Sequence, residues 1–357
     1  MVLGGPPPKT LITPALFSRP LPTPHTGRRG RQARTHQPGT PLPVWGVGRG
    51  REKRAGVRVL GGGDLPGAKF APSPDTLREV PTLRQLLAEA RPLLAATPFG
   101  APPREALLLL GHVLGWSEAQ VLARGETEVP EAAEARFRDL LARRLTGEPT
   151  AYLLGEREFW RRSFQVDSRV LIPRPETEHL VEEALAETLP DRPWILDVGA
   201  GSGILAVTLA LEISGARVAA TDLSAGALAV TAGNARRLGA AVRLVRTDLT
   251  AGLDLARFDL VVSNPPYIDP AEAPSLSPEV RDFEPALALF APGSGDSVLA
   301  RLFAECAALR PGVRLAVEIG FGQLGAARRH AESAGLEFLR VRNDYAGIPR
   351  VLVLQRR

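Results

Sequence analysis

The chain has 357 residues, 44% of them hydrophobic, which is enough for two domains and a sizeable core. Its single cysteine, Cys306, excludes an internal disulfide and any cysteine-based zinc cluster, and with only five histidines no metal site is expected. The net charge of +5 comes from the N-terminal leader: residues 1–58 hold eleven Lys/Arg against Glu52, whereas residues 59–357 hold 33 basic and 38 acidic residues. Whole-chain charge therefore gives no ground for a polyanion-binding role, and no apolar run reaches the length of a transmembrane helix.

Residues 1–75 are rich in Pro, Gly and Arg and lack periodicity. Such a composition buries too little apolar surface to offset ordering entropy, so a disordered leader is expected over residues 1–80. Three readings of it stay open. It lies outside the mature protein, with a start at a valine such as Val57 or Val80; it is an Arg-rich transit peptide; or it is a basic tail. The protein is expected in the cytoplasm, or in an organelle if residues 1–58 are a transit peptide.

Order is expected from Thr82, which can cap a helix over 83–95 with Leu83, Leu86, Leu87, Ala90 and Leu94 on one face. Further helices are predicted over 104–114 behind Pro103, over a short stretch to Arg124 capped by Ser117, and over 131–145, ended by Gly147 and Pro149. Residues 81–150 thus form a small helical domain. Its eight basic and nine acidic residues lack the footprint of a nucleic-acid binder, and it is read as a substrate or partner selector. Residues 151–192 follow as a hairpin and a connecting helix. The hairpin strands are predicted at 158–165 and 169–172, and the helix at 177–189, after an extended Pro173–Pro175 segment.

From residue 193 the pattern alternates strand and helix. Strands are predicted at 194–198, 217–221, 242–245, 258–263, 313–319, 337–342 and 351–355, with helices at 204–213, 225–238, 297–309 and 323–334. This is an α/β fold, a doubly wound, mostly parallel seven-stranded sheet whose last two strands pair antiparallel.

Two loops at strand ends carry the chemistry. The first, Gly199-Ala200-Gly201-Ser202-Gly203, has Ile204 where a dinucleotide fingerprint needs its third glycine, which favours S-adenosylmethionine over NAD. The glycines let the backbone approach a ligand, and the helix N-terminus can receive a carboxylate. Asp222 can accept both ribose hydroxyls. Asp248 can reach the adenine amino group, with Leu249 packing or donating its N–H. The second loop is Asn264-Pro265-Pro266-Tyr267. A planar nitrogen is a poor nucleophile because its lone pair feeds a π system. The Asn264 side-chain oxygen and the Pro265 carbonyl can grip its two hydrogens, which fixes direction and favours a pyramidal nitrogen as charge develops. Tyr267 can stack on the planar group, and the rigid Pro265-Pro266 stiffens the turn.

The stretches AYLLGEREFW (151–160), VLIPRPETE (170–178), ILDVGAGSG (195–203), FDLVVSNPPYI (258–268), Glu284-Pro285, VEIG (317–320) and NDYAGIPRV (343–351) resemble the release factor glutamine N5-methyltransferases, the PrmC or HemK family. The helical domain fits that family's N-terminal domain. The Asn-Pro-Pro-Tyr motif alone is shared with DNA and RNA amino-methylases; the Tyr-Leu-Leu-Gly hairpin followed by IPRPETE is far more specific. The resemblance implies a class I S-adenosylmethionine-dependent methyltransferase that methylates the glutamine of the Gly-Gly-Gln tip of peptide-chain release factors. It implies that Gly199 to Gly203, Asp222 and Leu249 hold the cofactor, that Asn264 touches cofactor and glutamine, and that Pro265, Pro266 and Tyr267 touch the glutamine. Ala200 stands where the family often has Thr, and Gly295-Asp296-Ser297 replaces a frequent Gly-Asp-Gly. Arg174 and Glu176 are read either as bracing a lid near the cofactor or as purely structural.

Competing readings are a ribosomal-protein glutamine methyltransferase, a nucleic-acid amino-methyltransferase, a cofactor-binding module without turnover, and an NAD dehydrogenase. Against nucleic acid, residues 264–295 hold Asp269, Glu272, Glu279, Asp282 and Glu284 but one base, Arg281. Against NAD stand Ile204 and the placement of His112 and His179 on helices outside the sheet domain and of His330 on a late helix. A monomer that binds neither membrane nor stably nucleic acid is expected.

Overall fold

The structure, a computed structural model, describes residues 80–357, so the expectations for residues 1–79 lie outside it. Thr82 opens the first helix, α1 (Leu83–Ala95), through a capping box: its hydroxyl accepts from the Gln85 N–H and the Gln85 side chain accepts from the Thr82 N–H at 2.7 Å. The five apolar residues of the predicted face are all buried. Helices α2 (Glu105–Leu114), α3 (Glu118–Ala123) and α4 (Glu131–Leu145) follow close to prediction, and Ser117 caps α3 with Gln120 in the same way. They share one core with α1, to which Phe137 and Leu141 contribute from α4.

A short helix, α5 (Thr150–Leu154), was not foreseen. It ends at Gly155, whose φ of 74° is left-handed. The hairpin also differs from expectation. It is confined to β1 (Glu156–Phe159) and β2 (Arg162–Gln165), and residues 169–172 form no strand. The chain reverses at Trp160 and Arg161, both at positive φ (49° and 58°), in a two-residue turn that usually calls for Asn or Gly. The usual turn residues are absent, so the reversal was invisible.

A single 3-10 turn, Pro175–Thr177, leads into α6 (Glu178–Leu185), shorter than predicted. This helix is more than a connector, and His179 on it does not stand apart from the sheet domain. Leu180, Val181 and Ala184 of α6 lie in the same core as Ile195, Leu260 and Val353 of the sheet.

The remaining elements are β3 (Trp194–Val198), α7 (Ile204–Glu212), β4 (Arg217–Asp222), α8 (Ala225–Leu238), β5 (Val242–Arg246), β6 (Leu260–Ser263), the short α9 (Pro278–Phe283) and α10 (Ala286–Leu289), α11 (Ser297–Cys306), β7 (Arg314–Glu318), α12 (Leu324–Ser333), β8 (Leu336–Asn343) and β9 (Pro349–Arg356). The sheet order is β5-β4-β3-β6-β7-β9-β8. All neighbours are parallel except β9, which runs antiparallel between β7 and β8. Alternation assigns the two faces: Ile195 and Val262 point toward α6 and α7, while Leu196 and Val261 point toward α11 and α12. Among the described residues no helix is long and apolar enough to cross a membrane.

Candidate functional site

β3 and β6 are neighbours, but the chain leaves β3 for α7 on one face and leaves β6, by way of α9 and α10, for α11 on the other. Such a divergence opens a crevice at the carboxyl ends of the strands. Val198 pairs with Ser263, whose hydroxyl donates to the Val198 carbonyl at 2.7 Å. The next residues, Gly199 and Asn264, therefore leave the sheet side by side, about one strand spacing (~5 Å) apart.

A cavity of about 320 Å³ fills the crevice. Gly199, Ala200, Gly201 and Ser202 form one wall; Asp222, Asp248 and Leu249 form another; Asn264 and Pro266 close it. The Thr221 carbonyl accepts from the N–H of both Gly199 and Ala200, at 2.9 and 2.8 Å, which curls the loop. Gly199 and Gly201 have φ of 81° and 55°, and a Cβ on either would meet no described atom within 4 Å. Bare backbone therefore faces open cavity at these two positions. Gly203 differs: it does not line the cavity, and its Cβ would lie 2.7 Å from Thr231 Cγ2. Close packing of α7 on α8 is what requires glycine there.

Asp222 accepts from the Gly201 N–H (2.9 Å) through one oxygen and from the Ser224 N–H (2.8 Å) through the other. A carboxylate oxygen has two lone pairs, so each keeps one for a ligand hydroxyl. Asp248 is paired to Arg301 at 2.8 Å. Leu249 is held at φ 49°, a conformation a branched side chain resists and one that often marks a functional turn.

Asp197, two residues before the loop, belongs to the quoted stretch at 195–203 but carries no role in the sequence reading. Its Oδ2 accepts from the Ala206 N–H at 3.0 Å, so it occupies a donor at the start of α7, while its Oδ1 has no partner among the described residues. Burial pushes its carboxyl up to about 7.

A second, smaller cavity of about 60 Å³ lies against the first and is lined by Pro265, Tyr267, Arg174 and Asn264. Asn264 and Arg174 border both cavities. Burial, reinforced by Glu318, pushes the Tyr267 phenol up to about 12, so it stays neutral at ordinary pH and cannot serve there as a phenolate base. Gln323 anchors the turn, donating to the Tyr267 carbonyl (2.9 Å) and the Gly295 carbonyl (3.1 Å). Gly295, at φ 75°, could not carry a Cβ, which would stand 2.9 Å from the Tyr267 carbonyl oxygen. Ser297, next in that loop, donates to the Pro292 carbonyl.

Arg174 Nη2 donates to Glu284 Oε1 at 2.5 Å, and the other Glu284 oxygen accepts from the Ile172 N–H at 3.1 Å. Glu284 thereby holds the 172–174 segment, whose Pro173 and Arg174 line the larger cavity. The acidic patch is weaker than its count implies. Glu279 pairs with Arg144, Asp282 with Arg281 and Glu284 with Arg174, so three of the five acids are neutralised.

A family model described as "PrmC N-terminal domain" matches residues 85–155, and one described as "Methyltransferase small domain" matches residues 180–277. A release factor glutamine methyltransferase of Bordetella pertussis is 48% identical over 256 residues, covering 71% of this chain and 94% of that protein. One from Nitratidesulfovibrio vulgaris is 43% identical over 287 residues, covering 77% of this chain and 95% of that protein.

Proposed function

Because the chain belongs to the family of release factor glutamine methyltransferases, we propose that it methylates the side-chain amide nitrogen, N5, of the glutamine in the Gly-Gly-Gln tip of peptide-chain release factors. It is a methyltransferase that uses S-adenosylmethionine. The observation that supports the substrate reading is the position of Asn264, on the shared wall of a ligand-sized cavity and a pocket fit for the end of one side chain.

The residues of the larger cavity fit this cofactor. Two glycines leave backbone exposed, and Asp222 offers lone pairs to ribose hydroxyls. The three arginines on its wall are already committed: Arg169 to Asp167, Arg174 to Glu284 and Arg301 to Asp248. That set suits a cationic ligand and offers no free cation to a pyrophosphate.

When bound, S-adenosylmethionine supplies an electrophilic sulfonium methyl group. The chain's own residues supply orientation. Asn264 turns its Nδ2 to Thr177 Oγ1 at 3.1 Å, which leaves Oδ1 to accept an amide hydrogen in the pocket. Pro265 has no N–H of its own, and its carbonyl accepts the second hydrogen. Gripped at both hydrogens, the nitrogen presents its lone pair along one direction, and this positioning is worth several orders of magnitude in rate. The Tyr267 ring covers the amide plane. The surplus proton leaves the product nitrogen after transfer.

Incubation with a release factor, followed by peptide mass spectrometry, tests this reading. A single methyl on the tip glutamine side chain is expected, with none on a Gly-Gly-Ala variant. Methylation of a ribosomal protein or a nucleic acid instead would overturn it. The further expectations are a monomer that acts in the cytoplasm without stable nucleic-acid binding. The near balance of charge over residues 81–150 supports the last of these.

A further inference from the structure

Asn264 is held by Thr177, which borders the larger cavity, and through Thr177 by Glu318; neither has an assigned role. Thr177, at the end of the 3-10 turn before α6, accepts from Asn264 Nδ2 at 3.1 Å and donates its hydroxyl to Glu318 Oε2, at the end of β7, at 2.7 Å. Thr177 is 0% and Glu318 2% exposed, so water cannot replace either partner. Among the described residues the Asn264 amide has no other side-chain hydrogen bond.

A hydroxyl has one proton to give. With that proton on the Glu318 carboxylate, Thr177 can only accept from Asn264, so the amide must turn its NH2 inward and its oxygen toward the smaller cavity. We propose that Thr177 and Glu318 are positioning residues for methyl transfer, a buried pair that locks the Asn264 amide with its oxygen facing the acceptor. This rests on the reading of Asn264 as the acceptor of the substrate amide hydrogen.

The lock has a direction that depends on the charge of Glu318. Its neighbours are Thr177, Arg174 and Glu176 from the segment before α6, Arg350 at the start of β9, and Tyr267 after β6. Burial raises the carboxyl and outweighs Thr177 and the two arginines, leaving it at about 7. Once protonated, Glu318 donates to Thr177, whose own proton turns to Asn264. The amide then reverses and offers NH2 to a substrate that also brings N–H. Activity therefore rises with pH through this range.

The full chain is compared with its Thr177→Val, Thr177→Ser and Glu318→Gln variants. We measure kcat on a release factor, affinity for S-adenosylhomocysteine by calorimetry, and the side-chain amide protons of Asn264 by NMR. Asparagine-selective labelling gives only three such groups, at Asn234, Asn264 and Asn343. Thr177→Val should keep cofactor affinity and lose about 10- to 100-fold in kcat, the scale of a misplaced reacting group. Its Asn264 amide protons should exchange faster with solvent. Thr177→Ser should restore both, and Glu318→Gln, whose carbonyl does not titrate, should flatten the acid side of the pH profile. Wild-type kcat in Thr177→Val, failure of Thr177→Ser to rescue, or an unchanged acid side in Glu318→Gln would overturn the proposal. Should Thr177→Val not fold, the other two variants decide it. Should the wild type leave release factors unmethylated, the functional reading fails by itself, and the Asn264 exchange rates still decide the lock.

Discussion

Asp197 holds a carboxyl group where water does not reach, 1% exposed at the end of β3. Burial raises its proton affinity to about 7, far above the ordinary aspartate range. The sign of the consequence follows from linkage. As pH rises past the ordinary range, the unfolded chain gives up this proton first and the folded chain keeps it to about 7, so stability falls across that window. Asp197→Asn removes the titration. Urea midpoints measured at pH 5 and pH 8 should shift in favour of the variant as pH rises; a gap that stays constant would contradict the assignment. Glu318 titrates with the same sign but is present in both proteins and cancels in the difference.

The elements were legible wherever their signals were local. Thr82 and Ser117 announced helix starts, and in the structure each closes a capping box with a glutamine three residues on, Gln85 and Gln120. The β1–β2 turn was not legible, because Trp160 and Arg161 carry none of the usual turn chemistry. The two-residue turn itself demands their positive φ values, while the flanking Phe159 and Phe164 are buried in one core. Arg161 is exposed, so Arg161→Gly sacrifices little packing and relieves the left-handed conformation. It should raise stability by about 0.5–1 kcal/mol after glycine's entropy is counted, readable in a denaturant midpoint; a loss would mean that the Arg161 side chain is held by contacts. The same division holds at the site. The glycine loop, Asp222 and Asn264 to Tyr267 stand at strand ends that periodicity could locate. Thr177 and Glu318 meet across 141 residues, and only the fold brings them together.

Across the whole described chain, one buried cation joins the helical domain to α9. Arg144, on α4, pairs with Glu105 of α2 at 2.6 Å and with Glu279 of α9, and lies 4.6 Å above the Phe99 ring. By sequence it is one base among eight in a near-neutral domain, and nothing local marks it as buried. Phe283 of α9 also packs against Gly147, just beyond α4. Glu284 follows and holds the Ile172–Arg174 segment, so the helical domain is tied through α9 to residues that line the cavity. Arg144→Ala leaves two carboxylates unpaired. It should cost about 2–4 kcal/mol, less than a fully buried pair because Glu279 is partly exposed, and should appear as a lower melting temperature. A change below about 0.5 kcal/mol, the range of an ordinary surface site, would contradict this role.

In the proposed reaction Asn264 presents a release factor glutamine to a methyl donor at the junction of the β3 and β6 loops. The most direct measurement is transfer of label from radioactive S-adenosylmethionine to a purified release factor, with its Gly-Gly-Ala tip variant alongside and Asn264→Ala as the enzyme control. Label on the intact factor alone, reduced about 10²-fold or more by Asn264→Ala, is the predicted result. Equal label on the tip variant, or full activity without Asn264, would contradict the account.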